Sequence, residues 1–238
     1  TKYPESNLTH KRVIYTSNKL DEAERLGHDV KKARFALYRA QCNCAYWHGL
    51  FGGLYLNYLR HALYQNLIEA DIAADIFLKK EKEHRNAELL DIDCDGSKEV
   101  ILSNETLSCV IKPNVGASIA SLDFRPRKFN LLNTLARRFE AYHEQKNASE
   151  NGSTGTIHSI HDMGKDLGDL KELLTYDPCP RYAFLDHLFF TEPDSNAILE
   201  NKNSNSTFLG NSRYLTKINN SIVLSKNDLA SVEKEFVL

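Results

Sequence analysis

Residues 91–124 read DIDCDGSKEVILSNETLSCVIKPNVGASIASLDF, and this stretch decides the fold. Short runs rich in β-branched residues, EVILS and LSCVIKP, are followed by the turn signal Asn114-Val115-Gly116. ASIASLDF comes next, with Ala120, Leu122 and Phe124 alternating with Ser121 and Asp123. The pattern predicts an antiparallel meander with one face buried.

Upstream the period changes. Between Leu20 and Ala40, Leu26, Val30, Ala33 and Leu37 fall at spacings of four, three and four, which predicts one helix face. Leu56, Leu59, Leu63 and Leu67 repeat the pattern and continue through Ile72, Ile76 and Phe77 to the solvated KKEKEHR run. The expected fold class is therefore α+β: a helical segment over 1–90, then an antiparallel β-sandwich over 91–238. KNASENGSTGT (146–156) and NKNSNST (201–207) have almost nothing to bury and are expected to be surface loops.

With 238 residues and 42% hydrophobic side chains, the chain can bury a real core. Thirty basic and thirty-two acidic side chains leave no basic excess for a phosphate backbone, so nucleic acid is not an expected partner. The apolar runs are short and interrupted by charge, which argues against a membrane partner and against a signal peptide. Five scattered cysteines fit free thiols in a reducing compartment, and a cytoplasmic location is expected. The chain opens on TKYPESN, has its only methionine at Met163 and stops on the strand-like KEFVL, so it reads as a piece of a longer polypeptide, with the sandwich truncated at its C-terminal end.

CNCAYWHGLFGG (42–53) separates the two helical patterns and carries the only tryptophan, Trp47. Cys42, Cys44 and His48 lack the Cys-x2-Cys spacing and the second ligand pair of a zinc site. A cysteine nucleophile would need a base and an orienting group from elsewhere in the fold. Aromatic rings before a double glycine fit two readings: a sugar-binding wall, where flat apolar faces with polar edges meet sugar C–H groups, or a packed helix–helix corner. Local chemistry leaves both open.

Asp91, Asp93, Asp95 and Gly96 form the oxygen-rich opening of a calcium loop. An EF-hand is excluded, because Leu102 stands where its bidentate Glu would be and a strand follows instead of a helix. A calcium loop leading into a strand, with Glu99 as a further ligand, remains beside the plainer reading of an acidic turn. Arg125, Arg127, Arg137 and Arg138 are expected to form ion pairs at the edge of the sandwich. His158, His161 and Asp162 read as an exposed turn rather than a metal site.

AQCNCAYWHGLFGGLYLNYLRHALYQNLIEA, DIDCDGSKEVILSNE, LDFRPRKFNLLNTLARRFEAYH and RYAFLDHLF together resemble the C-terminal half of glycoside hydrolase family 57 enzymes of the α-amylase and 4-α-glucanotransferase type. The resemblance runs over nearly the whole chain, in the family's order. It implies a helical segment that closes an N-terminal catalytic barrel of the same polypeptide, followed by a galactose-mutarotase-like carbohydrate-binding sandwich. The retaining chemistry would belong to a Glu nucleophile and an Asp acid/base on the barrel, so no catalytic residue is expected here and no cofactor is required.

The resemblance also implies that Trp47 lines the substrate cleft, with Tyr46, His48 and position 44 beside it, and that α-glucans or maltooligosaccharides are the partners. The family's usual stretch is AQCNDAYWHG, so Cys44 replaces an aspartate that would face the sugar. A thiol is a weak hydrogen-bond partner, which puts that contact in doubt. The expected role is thus a non-catalytic part of a glucan-acting enzyme. Against it stand a free-standing carbohydrate-binding protein and a structural interaction module.

Overall fold

The computed structural model describes residues 2–48, 52–78, 86–140, 143, 174–196, 206–219, 222–227 and 232–237. The expected loop at 146–156 and the residues His158, His161 and Asp162 lie outside that set, as do 201–205.

Three helices come first: α1 (Pro4–Arg25), α2 (Lys31–Arg39) and α3 (Asn57–Leu78). Pro4 starts α1, where its missing N–H costs nothing and its fixed φ suits the helix. The single helix expected across Leu20 to Ala40 is in fact two. Gly27 takes φ +90 and the His28 N–H closes onto the Ala23 carbonyl at 3.1 Å, which caps α1. Leu26, counted above as a core position, is left exposed in that break. Val13, Leu20, Ala33, Leu37, Leu63 and Leu67 form the helical core, and Ala36, Ala40, Ala70 and Ala74 within it let the backbones approach closely.

Five strands follow as one antiparallel sheet in the order β1-β2-β3-β4-β5: β1 (Asn86–Leu90), β2 (Glu99–Ser103), β3 (Leu107–Lys112), β4 (Ser118–Phe124) and β5 (Phe129–Asn130). Register is fixed by pairs such as Leu102 with Cys109 and Cys109 with Leu122. The sheet therefore begins at Asn86, inside the range read as helical. β6 (His187–Phe189) pairs with β7 (Ser206–Phe208), so Ser206 and Thr207 belong to a strand and not to the expected loop. β8 (Leu215–Asn219), β9 (Ile222–Asn227) and β10 (Val232–Val237) form a separate antiparallel sheet.

Both faces of the five-stranded sheet are covered, contrary to the one-sided burial expected. On one face Val100, Leu102, Cys109, Ile111 and Ile119 receive Ile218 of β8 and Phe236 of β10. On the other, Ile101 and Val110 pack with Leu8 of α1 and Ile92. β4 also reverses its reading: Ser121 and Asp123 are buried, while Ala120, Leu122 and Phe124 are half-buried. The polar side of β4 turns towards the helices because Arg12 of α1 reaches it. Its guanidinium donates to Ser121 Oγ at 2.8 Å and pairs with the Asp123 carboxylate, and Asn130 donates to the same two side chains at 2.8 and 2.7 Å.

Arg125 is likewise buried and sits between sheet and helix rather than at an open edge. It bonds Asp75 of α3 at 2.6 Å, and Lys19 of α1 bonds Asp71 of α3 at 2.7 Å and also pairs with Asp75. Arg137 and Arg138 pair with Asp177 and Glu5, both at 2.6 Å, while Arg127 is exposed. Among the described residues no helix is long and apolar enough to cross a membrane.

Candidate functional site

α2 ends at Arg39, and the chain then makes a 3-10 turn over Asn43–Ala45 that delivers Tyr46 and Trp47. Tyr46 is held from three sides. Its hydroxyl donates to the Ala40 carbonyl at 2.6 Å, its own carbonyl accepts from Ser6 Oγ at 2.6 Å, and its ring meets His10 edge-on at 5.9 Å. Burial raises its phenol pKa, so it stays a donor. Trp47 follows this anchored residue and is 51% exposed, an unusual state for a ring that gains so much from burial.

The return of the chain fixes Trp47's backbone. Its carbonyl accepts the Leu54 N–H at 2.9 Å, and a Cβ on Gly53 would lie 2.0 Å from that same oxygen. Gly53 also sits at φ +51, so this close crossing depends on glycine.

Tyr46 and Trp47 border an open groove of about 560 Å3 against α1, with His10, Ile14, Asn18, Gln41 and Asn43 also on its walls. Its lining is the exposed indole, the Tyr46 ring, two aliphatic side chains, Val13 and Ile14, and hydrogen-bonding groups that include Ser17, Asn18, Gln41 and Asn43. That mixture suits an uncharged polyhydroxylated ligand. His48 points elsewhere and packs edge-on against Tyr55 at 4.9 Å. Cys44 is an exposed free thiol whose sulfur lies 3.4 Å from Asn43 Oδ1. The structure thus gathers Tyr46 and Trp47 at one groove and sends His48 to its other side. His10, Ile14 and Asn18 were not singled out in the sequence, although their spacing of four marks one helix face.

Beyond His48, Tyr55 borders a second concavity of about 370 Å3 shared with Arg137, Arg138, Glu140, His143 and Tyr176. Glu140 is 4% exposed and accepts from Tyr55 at 2.6 Å, from Tyr3 at 2.9 Å and from Lys2. Burial works against its charge, but these donors outweigh it and hold the carboxyl below the usual glutamate range.

The acidic loop leads into β2. Asp91 accepts the Asp95 and Gly96 N–H groups at 3.0 and 3.1 Å, and Glu99 accepts the Ile92 N–H at 3.0 Å. One oxygen each from Asp91, Asp93 and Glu99 falls within 4.8 Å of the others, and Asp93 Oδ1 is buried without a hydrogen-bond partner among the described residues. That donor set fits an oxygen-seeking cation. Asp95 turns instead to the Ser97 N–H at 2.8 Å and to Lys112 at 3.3 Å. The Lys112 ammonium also pairs with Asp93 and lies 3.4 Å from Glu99, answering part of the negative charge. Burial pushes the Glu99 carboxyl up to about 7 despite Lys112.

Comparison with known proteins follows this division. Residues 1–74 match the alpha-amylase/4-alpha-glucanotransferase middle domain, and residues 91–238 match the alpha-amylase/4-alpha-glucanotransferase C-terminal domain. The alpha-amylase of Pyrococcus abyssi is 40% identical over 191 residues, which is 79% of this chain and 27% of the relative. The 4-alpha-glucanotransferase of Thermococcus kodakarensis is 38% identical over 199 residues, 82% of this chain and 27% of the relative. The crystal structure of 4-alpha-glucanotransferase from Thermococcus litoralis superposes with a TM-score of 0.71 at 30% identity, covering 94% of this chain and 30% of that one.

This chain of helices and antiparallel sheets thus corresponds to the middle and C-terminal parts of such proteins. It belongs to the alpha-amylase/4-alpha-glucanotransferase family. It spans about 27% of the length of these curated relatives.

Proposed function

We propose that this chain is the non-catalytic part of a cytoplasmic α-1,4-glucan-acting amylase or 4-α-glucanotransferase, where it completes the substrate cleft and holds the glucan chain. The observation that carries this reading is the half-exposed indole of Trp47, fixed on a rigid turn beside a neutral, hydrogen-bonding groove. Tyr46 positions Trp47, Cys44 flanks it, and His48 braces the turn from behind through Tyr55. Acid/base chemistry belongs to a catalytic barrel elsewhere in the same polypeptide, as the greater length of the relatives suggests. The helices up to Leu78 close that barrel, and the strands from Asn86 onward form a galactose-mutarotase-like sandwich.

Trp47 is the only tryptophan among the 238 residues, so its fluorescence is a clean reporter. Saturating maltoheptaose is expected to shift its emission, and Trp47→Phe to abolish the signal. Unchanged emission would remove the groove from the reading. Detectable maltooligosaccharide transfer by the 238 residues alone would contradict the non-catalytic role.

For the acidic loop we propose calcium at Asp91, Asp93 and Glu99, because the orphaned Asp93 oxygen and the convergence of three carboxylates favour it. Calcium is expected to raise the melting temperature, and Asp93→Ala to cancel that rise. Isothermal titration showing no calcium binding would rule it out.

A further inference from the structure

The concavity behind the Tyr46–His48 turn holds an aromatic corner that the reading above does not use. His143 stacks on Tyr176 with ring centres 5.8 Å apart and planes at 25°, and its Nδ1 lies 3.0 Å from the Tyr176 hydroxyl. Phe139 stands edge-on to both, at 5.9 and 6.0 Å. Phe139 is 46% exposed and Tyr176 39%; Tyr176 and His143 line the concavity, and Phe139 extends their aromatic surface at its rim through these edge contacts.

The charges around them are taken up in ion pairs. Arg137 and Arg181 share Asp177, Arg138 pairs with Glu5 and Lys2 with Glu140. Each of these cations already has a carboxylate partner, and Glu140 stays an acceptor on the wall because Lys2, Tyr55 and Tyr3 hold it as a carboxylate. Flat apolar rings opposite ion-paired polar groups, in a space of about 370 Å3, are what a neutral sugar needs: stacking for its C–H face and bonding for its hydroxyls.

We propose that Phe139 and Tyr176, backed by His143, form a second α-glucan site, distinct from the groove at Trp47. This rests on the glucan reading above for its ligand class. Tyr55 links the two places, since it packs on His48 of the Trp47 turn and bonds Glu140 of the second site. A long glucan held at both would be gripped on either side of the Trp47 turn, and the second contact would add avidity without touching chemistry.

The test is starch-affinity electrophoresis of the full-length polypeptide, with melting temperatures recorded for every variant. Phe139→Ala and Tyr176→Ala are each expected to weaken retardation by about tenfold, whereas Tyr176→Phe keeps it. Both rings are exposed enough that either alanine variant should melt like the parent, and two independent variants guard against one failing to fold. Full retardation in both alanine variants overturns the second site, and if Trp47→Ala still weakens binding, the groove reading stands by itself. Loss confined to Phe139→Ala and Tyr176→Ala, with Trp47→Ala unchanged, keeps the second site and removes the first. Binding of inorganic phosphate by calorimetry, abolished in Arg137→Gln, would make the concavity an anion site and also overturn the proposal.

Discussion

The guanidinium of Arg12, on α1, pairs with the carboxylate of Asp123, on β4, across 111 residues of sequence and with both side chains almost wholly buried. Burial disfavours the Arg12 charge, but Asp123 more than compensates and its pKa rises. The pair fixes how the helices sit on the sheet, and therefore where α1 presents His10 and Asn18 to the groove.

Removing one partner should leave the other charged and buried. Arg12→Met or Asp123→Asn is expected to cost about 3–5 kcal/mol in urea denaturation. Replacing both with apolar residues should recover much of that loss, because the desolvation cost disappears with the pair. A double-variant loss equal to the sum of the two single losses would show that the pair is not coupled.

Gly53→Ala tests the turn that carries Trp47. The new Cβ would collide with the Trp47 carbonyl at 2.0 Å, on a backbone already at φ +51. A cost of about 1–3 kcal/mol is expected from the backbone conformation alone. Trp47 emission should shift in the absence of ligand, and the response to maltoheptaose should be lost while far-ultraviolet circular dichroism stays helical. An unchanged spectrum would mean that the crossing does not set the indole.

Glu140 gives the second concavity a signature in pH. Its folded pKa is depressed below the ordinary value of 4.5, so its stabilising effect is complete above that value and lost as the pH falls through the folded pKa. Glu140→Gln should lower stability by about 1–3 kcal/mol near neutrality through its lost donors. The gap between parent and variant should close in acid, below about pH 4.5. A gap independent of pH, measured by thermal melting from pH 3 to 7, would refute the assigned role.

The strands were legible because β2, β3 and β4 concentrate β-branched residues between clear turn signals. The facing of β4 was not, because Ser121 and Asp123 look like solvent residues until Arg12 is placed against them. The same distant partner hid α1: its inward face carries Thr9, Arg12 and Thr16 among Leu8, Val13 and Leu20, so no apolar stripe shows at helical period. With α1 unread, Trp47 could be picked out as the only tryptophan, but the groove beside it could not. The Phe139–Tyr176 corner was equally out of reach, since sequence spacing cannot bring residue 176 to residue 139.

Cys44 offers the sharpest chemical test, since the resemblance implies an aspartate at that position. The thiol is exposed and lies 3.4 Å from Asn43 Oδ1, so an aspartate fits without repacking any core. A carboxylate next in sequence to Asn43 of the groove wall would accept hydrogen bonds from sugar hydroxyls, and a bond to a charged group contributes about 1.5–3 kcal/mol. Cys44→Asp is therefore expected to tighten maltoheptaose binding by about tenfold or more in calorimetric titration, with melting temperature little changed. Cys44→Ser supplies a neutral control and should bind like the parent. If the aspartate variant binds no better than the serine variant, position 44 does not face the ligand. The Trp47 groove would then have to receive its sugar from the α1 side, through His10 and Asn18.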